Sequence, residues 1–311
     1  MSRIRKISKR WQKISLTNKG HIPVMCKEIV EYLKPSERKC IVDCTLGLGA
    51  HAQELLKHIS PQGRLIGIDK DEESLTLARE RLKEFEDKTH FFHSDFRNVD
   101  KVLDSLGLES VDAALFDLGS SFYQLSAFGR GFSFLREGPL DMRMDRSIFI
   151  SAYDLINNLS EKELDYIFKR YGQERWHRKI AHCIVEERKH YPIATTLKLA
   201  EIVAKALEGR SESRIHPATR IFQALRIVVN QEFESLGIGL EKIAKFLSPG
   251  GRICVISFHS LEDKIVKEAF KRLKANGRFK VLTSKPVRPS SWEIKLNSKA
   301  RSSRLRVAEK I

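Results

Sequence analysis

The stretch Val42-Asp43-Cys44-Thr45-Leu46-Gly47-Leu48-Gly49 sets a carboxylate at the end of an apolar run and two glycines just beyond it. Glycines in such a turn let backbone amides approach a ligand at the start of the following helix. A second acid, Asp69, comes twenty residues after Gly49 and closes the next apolar run, a place where a carboxylate accepts hydrogen bonds from a ribose diol. The chemistry is that of a nucleoside-bearing cofactor, and both NAD and S-adenosylmethionine suit it. The G-x-G-x-x-G pattern fails at its sixth position, Ala52. Asp43 favours the methyl donor, because a dinucleotide site has pyrophosphate at this loop and little use for a carboxylate. Asp95-Phe96 and Asp117 close the third and fourth apolar runs, where α/β folds gather ligands. Phe96 can cover an adenine face and His51 can donate to a cofactor carboxylate. The plainer readings are turn glycines, a helix-capping Asp69, a core Phe96 and a structural His51.

The elements that position these residues alternate. Cys40–Asp43 reads as a strand, followed by a helix through Leu55, a strand over Arg64–Asp69, and a helix over Glu72–Phe85 with Leu75, Ala78, Leu82 and Phe85 on one face. Apolar runs at Phe91–Phe92 and Ala113–Phe116 complete four strands, which implies a mainly parallel sheet with helices on both faces. Strand signals then stop. Glycines 129, 131 and 138 mark a loop, helical patterns fill residues 151–209, and Ser160 with Glu163 forms a capping box for a helix over Ser160–Tyr171. Helices are expected over Phe222–Phe233 and Leu240–Leu247. The turn Pro249-Gly250-Gly251 then leads into a fifth strand, Arg252–Phe258, where the sheet resumes. The expected organisation is a basic arm at 1–20, an α/β core at 21–122 and 217–311, and an inserted all-helical domain at 123–216.

Charge narrows the partners. The 311-residue chain carries +16, of which residues 1–20 supply +7 and residues 278–311 supply +8, leaving a body near neutrality. Basic tails on a neutral body suit an enzyme that binds a polyanion, although a solvated tail or an anionic lipid surface fits the same composition. The first twenty residues lack the apolar centre of a secretory signal, and an organelle transit segment stands as the alternative to a basic arm. No apolar run approaches the roughly 20 residues of a membrane span. Cys26, Cys40, Cys44, Cys183 and Cys254 form no C-x-x-C pair, so buried thiols in a reducing cytoplasm are expected, with no metal.

Longer strings carry a resemblance. They include His21-Ile22-Pro23-Val24, Thr45-Leu46-Gly47-Leu48-Gly49-Ala50-His51, Gly131-Phe132-Ser133-Phe134 and Gly138-Pro139-Leu140-Asp141-Met142-Arg143-Met144-Asp145. Further along stand His216-Pro217-Ala218-Thr219-Arg220, Phe222-Gln223-Ala224-Leu225-Arg226-Ile227, Ser257-Phe258-His259-Ser260-Leu261-Glu262-Asp263 and Leu305-Arg306-Val307-Ala308-Glu309. In these the chain resembles the bacterial family of small-subunit rRNA (cytosine-N4) methyltransferases from His21 nearly to its end. The resemblance implies a Rossmann-like class I methyltransferase core with an inserted helical domain that recognises substrate. It implies S-adenosylmethionine as cofactor, held by Gly49, Ala50, His51, Asp69, Phe96, Asp117 and Gln124. The implied substrate is a decoding-region cytidine of 16S rRNA, in free RNA or in the assembled small ribosomal subunit. Four places depart from the family pattern: Ala50 stands where Gly is usual, Ser120-Ser121-Phe122-Tyr123-Gln124-Leu125 replaces V-S-S-P-Q-L, Lys264 replaces Arg, and Ser298-Lys299 replaces Pro-Arg.

Methyl transfer from a sulfonium depends chiefly on positioning. The cytosine N4 lone pair is conjugated with the ring, so acceptors for the amine hydrogens help localise it. Asp117 is the candidate by topology, although Asp117-Leu118-Gly119-Ser120 lacks the Asp/Asn-Pro-Pro-aromatic motif of many amino-methyltransferases. A cytosine-C5 enzyme needs a nucleophilic Cys near the base, and none occurs between Cys44 and Cys183. Arg143, His216, Arg220 and His259 are the candidates for contacting RNA; the ordinary readings are a helix-start turn at His216 and helix-terminal acids at Glu262-Asp263. The alternative function is a noncatalytic RNA-binding or ribosome-assembly factor that keeps the cofactor pocket.

Overall fold

The structure, a computed structural model, describes residues 23–208 and 216–311. The expected basic arm and the His21-Ile22 pair lie outside the described residues. Helix α1 (Cys26–Leu33) leads into β1 (Cys40–Asp43), α2 (Ala50–Leu56), β2 (Arg64–Asp69), α3 (Glu72–Arg81), β3 (Thr89–His93), α4 (Val99–Ser105) and β4 (Val111–Asp117). These strands pair in parallel in the order β3-β2-β1-β4. The pairing places the ends of β1, β2 and β4, with Asp43, Asp69 and Asp117, along one edge of the sheet.

Strand residues alternate between the two faces as a pleated backbone requires. Ile41, Leu65, Ala113 and Leu115 join the cluster beneath α1, α2 and α3, whereas Val42, Ile66, Ala114 and Phe116 face the cluster that includes Val99, Val102 and Leu103 of α4. Covering both faces explains why these strands read as continuous apolar runs. The helix expected over Glu72–Phe85 ends at Arg81, and a 3-10 turn spans Lys83–Lys88. Phe85 leaves helical geometry there, with φ −121° and ψ 23°, and packs on the α1–α3 face.

Helix α5 (Phe122–Ser126) opens the segment after β4, followed by α6 (Ala152–Asn158), α7 (Glu161–Arg170), α8 (His177–Glu187), α9 (Thr196–Ala206) and α10 (Ala218–Val229). Ser160 and Glu163 form the expected capping box on α7. Phe132, Leu140, Met142 and the buried faces of α6–α10 make a separate apolar cluster. Packing therefore puts α10 with the inserted helices, beyond the division expected at residue 216. At Gly131, with φ +72°, an added Cβ would lie 2.4 Å from the Pro139 carbonyl oxygen, so the loop entering this cluster requires glycine.

The helix expected over Phe222–Phe233 is broken. Asn230 ends α10, Gln231 takes φ +50°, and α11 runs over Glu232–Phe246, absorbing the helix expected at Leu240–Leu247. The cause is local. Asn230 Nδ2 donates to the carbonyls of Met142 and Arg226, both at 2.8 Å, and its Oδ1 accepts from Met144 N at 2.7 Å. A side chain that bonds backbone in this way competes with the helical ladder.

The remaining elements are β5 (Leu247–Ser257), α12 (Ser260–Ala275), β6 (Phe279–Val281), α13 (Ser291–Leu296) and β7 (Arg304–Lys310). Strand β5 starts before the expected Arg252, and its pairing with β4 shifts register near the Pro249-Gly250-Gly251 turn. The full sheet runs β3-β2-β1-β4-β5-β7-β6, with β7 antiparallel to both neighbours. This corrects the reading of residues 278–311 as a basic tail. Leu305, Val307 and Ala308 are buried in β7, Arg306 pairs with Asp263 at 2.7 Å, and Arg252 with Glu309 at 2.7 Å. Interleaved cations hid the strand, since their charges mask an apolar alternation. Among the described residues no helix is long and apolar enough to cross a membrane.

Candidate active site

The edge of the sheet that carries the acids opens into a cavity of about 400 Å³. That volume suits a small-molecule site. Of the residues expected to hold a cofactor, Ala50, His51, Asp69, Phe96, Asp117 and Gln124 line it. Gly49 does not. It is the residue before α2, at φ +73°, and its backbone turns the wall formed by Gly47, Leu48 and Ala50. Asp43 also stays behind the wall, buried, and accepts the Thr45 amide at 3.1 Å.

Asp69 is oriented by two backbone amides, Gly47 N at 2.7 Å and Asp71 N at 2.9 Å. Phe96 meets Phe116 edge-on at 5.4 Å and presents its ring to the cavity. Gln124 is held at both ends: its Oε1 accepts the Ser121 amide at 2.9 Å, completing a capping box, and its Nε2 donates to Asp71 at 2.7 Å. The altered Ser120–Tyr123 loop is thus a built helix start, and Tyr123 adds a hydroxyl donated to Glu73 at 3.2 Å.

His51 and Asp117 face each other. His51 Nε2 lies 2.9 Å from the Val24 carbonyl and therefore donates to it, which leaves Nδ1 directed at Asp117 Oδ2, 3.4 Å away. The other carboxylate oxygen, Asp117 Oδ1, is buried with no hydrogen-bond partner among the described residues. Burial is the main cause that pushes Asp117 up to about 7, with Glu262 adding to it; burial likewise pushes Asp43 to about 7 and Asp69 to about 6. The His51 ring is pushed down, again by burial. A cationic ligand would restore the solvation these carboxylates lack.

The opposite wall holds residues that sequence reasoning did not single out. Arg226 pairs with Glu232 through two contacts of 2.8 and 3.0 Å and stands 3.8 Å from Glu262. Glu262 is 2% exposed. It outweighs its burial through His259, Arg226 and the Phe258 amide, which together hold it below the usual carboxylate range. Its Oε2 accepts Phe258 N at 2.8 Å, and its Oε1 is 3.0 Å from His259 Nε2. Gln223, Phe233 and Phe258 complete this wall. The available signal was the Ser257–Asp263 string, whose Glu262 also fitted a helix start.

The RNA candidates divide. His259 lines the cavity, whereas Arg143, His216 and Arg220 do not. Arg143 is clamped on Asp141 at 2.8 and 2.9 Å and on the Ile148 carbonyl at 2.8 Å, a loop-building role. His216 stacks on Phe134 at 4.6 Å and accepts the Ala218 amide. Arg220 is 50% exposed, close to Glu174 at 3.7 Å. Cys44 touches the cavity, but burial holds its thiol well above its ordinary range.

Residues 18–311 match the model of the MraW methylase family. Ribosomal RNA small subunit methyltransferase H of Thermotoga neapolitana is 51% identical over 294 residues, covering 93% of this chain and 95% of that protein. The proteins of the same name from Halothermothrix orenii and Clostridium botulinum (strain Loch Maree / Type A3) are 43% and 44% identical, over 94% of this chain and 98% and 99% of their own lengths.

Proposed function

Because the chain belongs to the MraW methylase family, we propose that it is an S-adenosylmethionine-dependent methyltransferase of small-subunit ribosomal RNA whose target is the N4 amine of a decoding-region cytidine in 16S rRNA. The observation that carries the reading is one cavity with two chemically distinct walls. On one, Asp69, Phe96, His51 and Asp117 suit a ribose diol, an adenine face and a cationic methionine end. On the other, Arg226, Phe233, His259 and Glu262 suit a polar aromatic base.

The cofactor supplies a methyl group on a sulfonium. The residues would supply place and polarity: Asp69, Phe96, His51 and Asp117 would hold the donor, and a carboxylate of the cavity wall beside the N4 amine would accept the proton that the amine loses on methylation. An ionised acceptor beside the amine draws the nitrogen lone pair out of conjugation. Glu262, held ionised in the cavity wall, joins Asp117 as a candidate for that role. Asp117, whose unpaired oxygen suits an ammonium, serves the cofactor better. Cytosine-C5 chemistry is disfavoured because Cys44 is kept as a neutral thiol.

Labelled methyl transfer from S-adenosylmethionine to small subunits lacking the modification tests this reading. Label in the RNA at multiple turnovers supports it. Tight cofactor binding without transfer would instead mark the noncatalytic assembly factor, and label on a base carbon or a ribose oxygen would overturn the target atom.

A further inference from the structure

A row of aromatic rings leaves the cavity and ends in solvent. The His259 and Phe233 centroids are 5.9 Å apart, Phe233 and Tyr171 5.6 Å, and Tyr171 and Tyr166 6.3 Å, each within the range of aromatic contact. His259 and Phe233 line the cavity, Tyr171 is half-buried, and Tyr166 is 58% exposed. The first three rings are half-buried, Tyr171 also packing on the apolar cluster of the inserted helices, and only the last, Tyr166, stands in solvent.

The row crosses the junction between the inserted helices and the sheet domain, and polar contacts pin it. Gln223 donates to the Tyr171 carbonyl at 3.3 Å, Arg220 to the Gln173 carbonyl at 3.4 Å, and Ser260 Oγ to Gln173 Oε1 at 3.0 Å. On α7, Lys162, Tyr166, Lys169 and Arg170 fall at i−4, i, i+3 and i+4, so one exposed helix face carries a tyrosine among three cations. The acids of α7 are engaged elsewhere: Glu161 with His182, Glu163 with Ser160, and Asp165 with His177. Lys162, Lys169 and Arg170 make no ion pair among the described residues.

We infer that this row is a stacking track for single-stranded ribosomal RNA, with the target base unstacked into the cavity beside Phe233 and His259 and a flanking nucleotide stacked on Tyr166. The inference rests on the reading of the substrate as ribosomal RNA. A base in a stacked helix does not present its amine to a cavity, so it must be turned out, and its neighbours then seek other π-faces. Aromatic rings bordered by Lys and Arg provide those faces along with partners for the phosphates. A single row of rings edged by cations suits an RNA strand better than a protein, whose docking requires a broad apolar patch.

The test uses the full chain and small subunits lacking the modification, in a transfer assay and in filter binding. Tyr166→Ala is expected to raise KM and Kd for the subunits on the order of tenfold, leave cofactor affinity unchanged, and be rescued by Tyr166→Phe. Tyr191→Ala, which removes an exposed tyrosine that is not a member of the row, is expected to leave both constants near wild type. Unchanged KM and Kd in Tyr166→Ala would overturn the track, as would equal losses in Tyr166→Phe or Tyr191→Ala. Wild-type protein that binds subunits through Tyr166 but transfers no methyl would overturn the functional reading and leave the track standing.

Discussion

Asp69 and Asp117 line the cavity and Asp43 lies just behind its wall, and each is harder to ionise than an ordinary aspartate because it is buried. A cationic ligand favours their ionised forms, so binding should release protons. Cofactor affinity is predicted to rise with pH between about 5.5 and 7.5, following the values near 6 and 7, and calorimetry in buffers of different ionisation enthalpy should detect the released proton. Affinity independent of pH across that range would contradict the role given to these acids. Stability of the free protein moves the opposite way. A carboxyl with a raised folded pKa favours folding at low pH, and Asp117's contribution is lost as pH rises from its ordinary value of 3.8 through about 7. Asp117→Asn should therefore flatten the decline in melting temperature across that window while weakening cofactor binding roughly tenfold to a hundredfold. At this scale the gathering of Asp69, Phe96 and Asp117 at one cavity was legible because strand ends recur in sequence. Arg226, Glu232 and Glu262 were not, since their meaning depends on contacts between separate helices.

Among the elements, the loop that enters the helical insertion is fastened to the start of α3, beside the cavity, by one buried cation. Arg130, 1% exposed, contacts Asp71 at 2.8 Å and Glu73 at 2.7 Å and donates to the carbonyls of Arg143 and Met144. Asp71 in turn holds Gln124 and begins α3, two residues after Asp69. Arg130→Ala leaves the buried Asp71 without its cation, while Glu73 keeps Arg146 at 3.2 Å, and should destabilise the fold by roughly 3–5 kcal/mol in urea unfolding. Arg130→Lys should recover part of this, having the charge without the fork. A loss under about 1 kcal/mol in Arg130→Ala would show that the acids find other partners. Gly131→Ala should also destabilise, because its Cβ would meet the Pro139 carbonyl and the Asp141 amide. The βαβ pattern, the capping box at Ser160 and the helical insertion could all be read from periodicity and caps. The break at Asn230-Gln231 could not, because a side chain bonding to a distant loop ends that helix without glycine or proline. The last strand, β7, was obscured by its own cations.

For the whole molecule, the folding of residues 278–311 into the sheet changes the meaning of the charge balance. Much of the positive charge expected in a C-terminal tail lies on an ordered surface, and some of it is neutralised, as at Arg306 with Asp263. The seven cations of residues 1–20 remain the separate basic segment of the sequence. Deleting residues 1–20 is predicted to weaken binding to small subunits at low salt and to reduce the salt slope, with cofactor binding retained. Equal affinity of the shortened chain at low salt would contradict a role in RNA binding.

If the two walls of one cavity bring a methyl donor to a cytosine amine, the product carries the proof. The most direct test is nuclease mapping and nucleoside analysis of small-subunit RNA after labelled methyl transfer by the wild-type protein. N4-methylcytidine at a single decoding-region position is the expected result; label in any other nucleoside, or spread over many cytidines, would contradict it.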